Sequence, residues 1–323
     1  MIRPALYAIV AAAIGLVSAN TSVADTFLKV GVTAGGGYDF AARLMAPYLE
    51  KHLGGEGVIV QNVQGASSLN LARQMQVSDA DNEIGLILAS QIVRARLNPD
   101  AVAVDFSAFQ WLGSLNSVTS ICLTSKESGV DTFEKLISED IKMGATSQTG
   151  GFYQLAALVK NSFGGKYEII TGFKGLTDIE AAVQRGEIAG YCGSQLDRYI
   201  RNNQKGTYNL IGSAANEIEL DGKIIPSFAS FASNDETQAA IKLFSARDEI
   251  YYPFFMAPGA SQEAVMRYRA AFDAVMKDPE FLKEALAVYI DMNPANGSAL
   301  EAKIKAVSES DPATVSRLIE LTK

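Results

Sequence analysis

The sequence contains few residues of the kinds that carry metal and nucleophilic chemistry. Its 323 residues include one histidine, His52, and two cysteines, Cys122 and Cys192. A conventional zinc site needs three or four cysteine, histidine or carboxylate ligands at suitable spacing, so this supply excludes one. A serine–histidine–aspartate triad would depend wholly on His52, which we interpret as a helix-end residue. We therefore expect no metal, no cofactor and no catalytic residue.

The chain also lacks a basic tract and a long apolar run. Its formal net charge is −8, which argues against nucleic acid and anionic membrane surfaces as partners. Beyond the N-terminus, no segment has the eighteen uninterrupted apolar residues typical of a membrane-spanning helix. A ligand that is an anion must therefore be attracted by local hydrogen-bond donors.

Residues 1–24 have the pattern of a secretory signal. Arg3 precedes an apolar run from Ala5 to Val17, and small residues up to Ala24 precede Asp25. We expect cleavage near Ala24; cleavage after Ala19 and an uncleaved anchor are the alternatives. Removing residues 1–24 takes away one positive charge and no acidic residue, so the formal charge moves from −8 to −9. The mature chain is expected to be soluble and exported.

Both cysteines fall in β-like runs, Val118 to Thr124 and Ile188 to Cys192. In an oxidising exported environment a disulfide between Cys122 and Cys192 is one alternative, and two buried thiols are the other.

What the sequence does contain is two glycine loops, each between a β-like run and an amphipathic helix. The first loop is Gly35-Gly36-Gly37-Tyr38-Asp39, between Leu28–Ala34 and a helix predicted over Phe40–Leu53. The second is Ser147-Gln148-Thr149-Gly150-Gly151, between Ile141–Thr146 and a helix predicted over Phe152–Phe163. Glycine lets backbone N–H groups turn outward, and a helix start adds unpaired donors and a positive dipole end. The pattern predicts a ligand held between two lobes, with ordinary tight turns as the alternative.

Three familiar motifs are excluded by their spacing. A dinucleotide-binding turn needs a small residue where Phe40 stands, and Gly164-Gly165-Lys166 lacks the upstream glycine and following Ser or Thr of a P-loop. No G-x-S-x-G nucleophile elbow occurs.

Strand and helix signals alternate along the chain, and helices dominate from Ser261 onward. This alternation predicts an α/β protein with largely parallel sheets. About 300 mature residues suit two lobes, each able to bury its own core.

Several short motifs, in order along the chain, give a family resemblance. They are Gly35-Gly36-Gly37-Tyr38-Asp39 before Ala42-Arg43, then Asn62 with Gly65-Ala66, Phe173-Lys174-Gly175, Ala257-Pro258-Gly259, and Asp278-Pro279-Glu280-Phe281. With these motifs the chain resembles the substrate-binding receptors of tripartite tricarboxylate transporters, the Bug family of periplasmic proteins. It departs from the family pattern at Ala34, where proline is usual, and in the second loop, which lacks the usual Gly-Ser-x-Gly-x-Gly-Ser.

The resemblance implies a type II periplasmic-binding-protein fold, a two-lobed Venus flytrap with a ligand cleft between two α/β domains. It places domain 1 at residues 25–118 plus 215–323 and an inserted domain 2 at residues 119–214. It also implies a periplasmic monomer that holds a small organic carboxylate through backbone N–H groups of both loops and delivers it to membrane permease subunits.

The candidate ligand-binding residues come from the two loops and from predicted strand ends, where α/β folds place ligands. They are Gly36, Gly37, Tyr38, Asp39, Ser67, Ser68, Ser90, Gln148, Thr149, Gly150, Gly151, Phe152 and Ser194. Asp39 is predicted to be the helix N-cap, with orientation of the loop or of a water as a further role. Tyr38, Phe152 and Tyr153 would give the cleft an aromatic surface that favours a ring-bearing acid, although one of the last two is expected in the core.

Two other functions stay open at this point. One is an exported α/β hydrolase that uses the same cleft, against which the scarcity of histidine and the missing nucleophile motif both count. The other is a receptor that signals to a membrane protein instead of supplying a transporter.

Overall fold

A computed structural model of the chain describes residues 25–148, 150–202, 204–214, 216–288, 290 and 292–323. The predicted signal sequence, Thr149 and the predicted boundary residue 215 lie outside these ranges. The strands described are β1 (Thr26–Val30), β2 (Val58–Asn62), β3 (Glu83–Leu86), β4 (Gln110–Asn116), β5 (Ser120–Ser125), β6 (Lys142–Gly144), β7 (Glu168–Ile170), β8 (Gly190–Gln195), β9 (Tyr208–Ser213), β10 (Ile218–Leu220), β11 (Lys223–Ile225), β12 (Tyr251–Met256) and β13 (Ala295–Asn296).

The helices described in the same ranges are α1 (Gly37–His52), α2 (Leu69–Gln76), α3 (Ser90–Leu97), α4 (Pro99–Val102), α5 (Phe133–Ser138), α6 (Gly151–Phe163), α7 (Leu176–Gln184), α8 (Leu196–Arg201), α9 (Asp235–Ser245), α10 (Gln262–Val275), α11 (Pro279–Ala287), α12 (Gly297–Ser308) and α13 (Pro312–Leu321). None of these helices is long and apolar enough to span a bilayer.

The first sheet has six strands in the order β13-β4-β12-β3-β1-β2. Strand β1 runs parallel to β2 and β3, whereas β12 is antiparallel to β3 and β4. Because β1, β2 and β3 are parallel, the segments that follow Val30, Asn62 and Leu86 leave the same edge of the sheet. That edge carries the first glycine loop and the starts of α1 and α3.

The second sheet has five strands in the order β7-β6-β8-β5-β9. Strand β6 runs parallel to β7 and β8, and β5 is antiparallel to β8 and β9. Helix α6 follows the carboxyl end of β6 and α8 follows that of β8. Both sheets are therefore mixed, where the sequence predicted largely parallel ones, because β4, β12, β5 and β9 pair antiparallel.

The two sheets use separate parts of the chain. The first takes strands from residues 26–116 and 251–296, and the second takes strands from residues 120–213. The crossing between them falls between β4 and β5, where Val118 donates its amide to the carbonyl of Asp248 at 2.8 Å. The finer division into domains at residues 118, 119, 214 and 215 stays a prediction.

The hydrophobic core is not divided as cleanly as the sheets. One cluster of buried side chains contains Met75 and Trp111 of the first half together with Leu155 and Phe228. Helix α13 packs against α3, α6 and α9. The C-terminal helix thus joins helices associated with both sheets.

The structure links Cys122 in β5 and Cys192 in β8 by a disulfide. The two residues are register partners on neighbouring antiparallel strands. Of the two alternatives left open by the sequence, the structure has the bridged form. His52 lies in the last turn of α1, with its Nε2 atom 2.9 Å from Oδ2 of Asp278, the N-cap of α11.

Candidate functional site

The first glycine loop turns directly into α1. Gly36 is the N-cap of α1, with an extended backbone (φ −83°, ψ 168°) and no side chain that accepts from the first turn. The helix begins at Gly37, three residues before the predicted start at Phe40. Gly35 has φ +87°, a backbone conformation that favours glycine. Among the residues that the structure describes, no side chain therefore caps the start of α1.

Asp39 is not the N-cap, so that prediction is wrong. It lies in the first turn of α1 and its side chain is turned back onto the loop, where it is only 3% exposed. Its carboxylate accepts hydrogen bonds from the Gly35 amide at 2.9 Å, from Asn62 Nδ2 at 2.8 Å and from Arg43 Nε at 3.0 Å. These bonds, that of Arg43 first, lower the pKa of Asp39 to about 2. The residue holds the loop in shape from behind.

The second glycine loop leads into α6 in the same way. Gly150 is the N-cap of α6 and supplies no side-chain acceptor, and the helix begins at Gly151. A Cβ atom on Gly150 would lie 2.7 Å from Oγ1 of Thr146, so any larger residue here would force the threonine side chain or the loop to shift. A Cβ atom on Gly151 would lie 3.6 Å from Nη2 of Arg247. The start of α6 thus faces an arginine side chain.

Three adjoining cavities connect the two loops. The first-loop cavity, of about 360 Å³, is lined by Gly36, Gly37, Gln195, Tyr251 and Tyr252 among others. The central cavity, of about 200 Å³, is lined by Tyr38, Ser90, Gly193, Gln195, Arg247 and Tyr251 among others. The second-loop cavity, of about 540 Å³, is lined by Ser67, Ser90, Gly150, Gly151 and Arg247 among others. Shared lining residues join the cavities into one candidate cleft.

A cluster of three tyrosines forms one wall of this cleft. The ring centroids of Tyr38 and Tyr252 are 4.6 Å apart, as are those of Tyr251 and Tyr252. Successive residues of a regular strand point to opposite faces, yet Tyr251 and Tyr252 both line the first-loop cavity. Tyr252 has φ +56°, an uncommon left-handed conformation for a non-glycine residue, and this breaks the alternation. Such local strain is concentrated at functional sites in proteins.

The structure brings seven of the candidate residues to the cleft. These are Gly36, Gly37, Tyr38, Ser67, Ser90, Gly150 and Gly151. Whether they contact a ligand stays a prediction.

The other described candidates line none of the three cavities. Ser68 is buried, and its hydroxyl accepts from the amide of Leu88 at 3.2 Å. Phe152 packs against the core of the second sheet beside Tyr191. Ser194 is buried in β8, Gln148 is exposed, and Asp39 lies behind the first loop.

Sequence reasoning missed Arg247, Tyr251, Tyr252 and Gln195. The pair Tyr251-Tyr252 at the start of the apolar run of β12 was a local signal for two aromatic groups near a strand end. Arg247 gave no such signal, because it follows α9 in a short 3₁₀ turn and meets the second loop only through the tertiary fold.

The fold is that of two-lobed solute-binding proteins, so the predicted fold class is confirmed. Among solved structures, the chain is similar to a TctC solute-binding protein from Polaromonas, with a TM-score of 0.69 and 17% identity over 92% of this chain and 98% of that one. It is also similar to the periplasmic binding protein BugD, with a TM-score of 0.63 and 16% identity over 92% and 97%. For MatC of Rhodopseudomonas palustris with bound malate, the TM-score is 0.61 and the identity is 15%, over 93% of this chain and 99% of that one. The predicted resemblance to these receptors thus holds for the fold over nearly the whole described chain.

No protein-family model matches the chain. No curated protein matches it in sequence.

Proposed function

We propose that this protein is a periplasmic solute-binding receptor that captures a small organic carboxylate in the cleft between its two sheets. The observation that carries the proposal is the capping of its helices. Helices α1, α3 and α6 start at the cleft without a side-chain cap, at Gly36, Ala89 and Gly150. Among the described helices, side chains cap α4, α5 and α9 to α13, whereas α2, α7 and α8 also start without a side-chain cap. What distinguishes α1 and α6 is that both uncapped starts follow a glycine loop and line the cleft.

Uncapped helix starts suit a carboxylate for two physical reasons. In α1 and α6 the first-turn N–H groups are donors in need of acceptors, whereas in α3 the amides of Gln91 and Ile92 already donate to the carbonyls of Leu88 and Ala89. The helix dipole places a partial positive charge at each of these starts. A carboxylate accepts several such bonds at once, and charge-assisted bonds are about twice as strong as neutral ones. Water molecules can bridge the remaining gaps. The cleft can therefore hold an anion although the whole chain is acidic.

The two-lobed arrangement couples ligand binding to a change of conformation. A ligand that touches both lobes stabilises the closed conformation by its differential affinity for that state. In the proposed role, the closed receptor delivers its ligand to the permease subunits of a tripartite tricarboxylate-type transporter. This step and the monomeric state rest on the family resemblance, and the malate bound to MatC supports a carboxylate as the ligand class.

Thermal denaturation of the purified protein with a panel of acids tests the proposal. The panel contains acetate, malate, adipate, citrate and benzoate, each with its amide or ester. A ligand present at 100 times its dissociation constant adds about 2.7 kcal/mol to the free energy of unfolding. We expect a raised melting temperature for one class of free acids and none for the neutral analogues. Hydrolysis of the esters without any stabilisation would instead favour the enzyme alternative.

A further inference from the structure

Arg247 occupies the middle of the candidate cleft. It lines both the central and the second-loop cavity. Its guanidinium carbon lies 3.9 Å from the ring centroid of Phe244, and its Nη2 atom faces the start of α6 at Gly151. The side chain is only 12% exposed. A strongly buried cation is thus held at the junction of two cavities.

The described side chains that approach the Arg247 guanidinium pair with it only weakly. Its Nε atom is 3.7 Å from Oδ1 of Asp248, beyond hydrogen-bond distance. Its Nη1 atom is 3.5 Å from Oε1 of Gln154, at the limit for a hydrogen bond. Asp248 is itself engaged elsewhere, because its Oδ2 atom accepts the amide of Ser120 at 3.1 Å. The described residues therefore leave some of the five N–H donors of the Arg247 guanidinium without a good acceptor.

The surroundings favour an incoming anion. The side chains of Arg247 and Asp248 are both almost removed from solvent, and this burial lowers the pKa of Arg247 and raises that of Asp248. A buried charge is costly unless it is paired and hydrogen-bonded. Among the described side chains that line the second-loop cavity, none is acidic, whereas the central cavity is lined by Asp248. The second-loop side of Arg247 is therefore the side that favours an anion.

We propose that Arg247 binds the carboxylate of the ligand directly, through a two-point ion pair at the junction of the central and second-loop cavities. The inference rests on the proposed function and identifies Arg247 as the charged residue that binds the ligand. The Ser90 hydroxyl and the first-turn amides of α6 complete the anion site from either side. The rest of the ligand extends toward Tyr38 and Tyr251 in the central cavity. Recognition by a guanidinium makes the site select a charged acid over its amide or ester.

Affinity measurements on three arginine variants test this assignment. Malate, adipate and benzoate are titrated by calorimetry into wild type, Arg247→Met, Arg247→Lys and Arg185→Met. Truncating one partner of a buried charge pair typically weakens binding by roughly 30-fold or more, which is the loss expected for Arg247→Met. Arg247→Lys keeps the charge but loses the planar fork, so we expect an intermediate affinity. Arg185→Met removes an exposed pair with Glu187 and serves as the matched control.

The outcomes separate this inference from the proposed function. If wild type binds an acid and Arg247→Met binds it within threefold, the Arg247 assignment is overturned and the receptor proposal stands. If wild type binds none of the acids, both proposals fall. Arg247→Met leaves Asp248 buried without its cation, so the double variant Arg247→Met with Asp248→Asn is measured alongside it. Should both unfold, Arg247→Lys decides, since an affinity equal to that of wild type overturns the assignment.

Discussion

Replacing Asp39 with asparagine tests how the first glycine loop is held. The carboxylate of Asp39 accepts from Gly35, Asn62 and Arg43, and the variant substitutes an amide with one acceptor oxygen for it. The amide also directs its own N–H donors at groups that are themselves donors. We expect the folded state of Asp39→Asn to be less stable than wild type at neutral pH.

The pKa of Asp39 gives the size and the pH dependence of this loss. Folding lowers that pKa from 3.8 to about 2, so the folded state prefers the ionised carboxylate. The resulting stability is fully present well above pH 3.8, begins to fall as the pH approaches that value, and is lost as the pH falls through about 2. Because the Arg43 side chain is half-exposed, we allow for solvent screening and expect a contribution on the order of 1 to 2 kcal/mol.

Urea denaturation of both proteins between pH 7 and pH 2.5 measures this contribution. The difference in free energy of unfolding between wild type and Asp39→Asn should be constant from pH 7 to about pH 4.5. It should shrink below that pH, because the carboxylate of the unfolded wild-type chain becomes protonated first. Asp235→Asn, a change of an exposed residue in the first turn of α9, is the matched control. A difference that stays the same down to pH 2.5 would refute the assigned hydrogen bonds.

Two further predictions concern the disulfide and the first loop. Cys122 and Cys192 are 70 residues apart, so reducing their disulfide should lower the free energy of unfolding by about 4 kcal/mol on the chain-entropy account. Urea titrations with and without reductant measure this change. A decrease below about 1 kcal/mol would contradict the prediction. Gly37→Ala places a Cβ atom 3.3 Å from the Tyr252 hydroxyl, whereas Gly36→Ala meets only the Thr33 carbonyl at 3.7 Å. If the Tyr252 hydroxyl is held in place, the crowding at Gly37→Ala should offset the gain in helix propensity and make this variant less stable than Gly36→Ala, by about 1 kcal/mol in free energy of unfolding. A Gly37→Ala variant more stable than Gly36→Ala would show that Tyr252 is not held against the loop.

Local patterns were enough to locate the two loops. Strand, glycine turn and amphipathic helix follow one another within about 25 residues, and each signal depends on neighbours in sequence. The predicted boundary is less accurate, because the sequence pattern places Gly37, Tyr38 and Asp39 in the loop while the helix starts at Gly37. Residue preference predicts Asp39 as the cap, but its carboxylate accepts from Asn62, a partner brought near by the pairing of β1 with β2.

The centre of the candidate cleft could not be predicted in this way. Arg247 and Gly151 are distant in sequence and meet in the tertiary fold, where α6 and the helix that precedes Arg247, α9, both pack against α13. Likewise, the direction of the Tyr252 side chain follows from its left-handed backbone, for which the sequence offers no glycine or asparagine signal. Contacts of this kind are set by the tertiary fold.

Calorimetric titration of a free acid and of its neutral analogue into purified, ligand-free protein tests the central claim most directly. Protein freed of copurified ligand by unfolding and refolding is titrated with malate and adipate, and then with their dimethyl esters. The account predicts saturable binding of at least one acid at one site per chain and no binding of its ester. Equal binding of acid and ester, or no binding of any acid in the panel by correctly refolded protein, would contradict it.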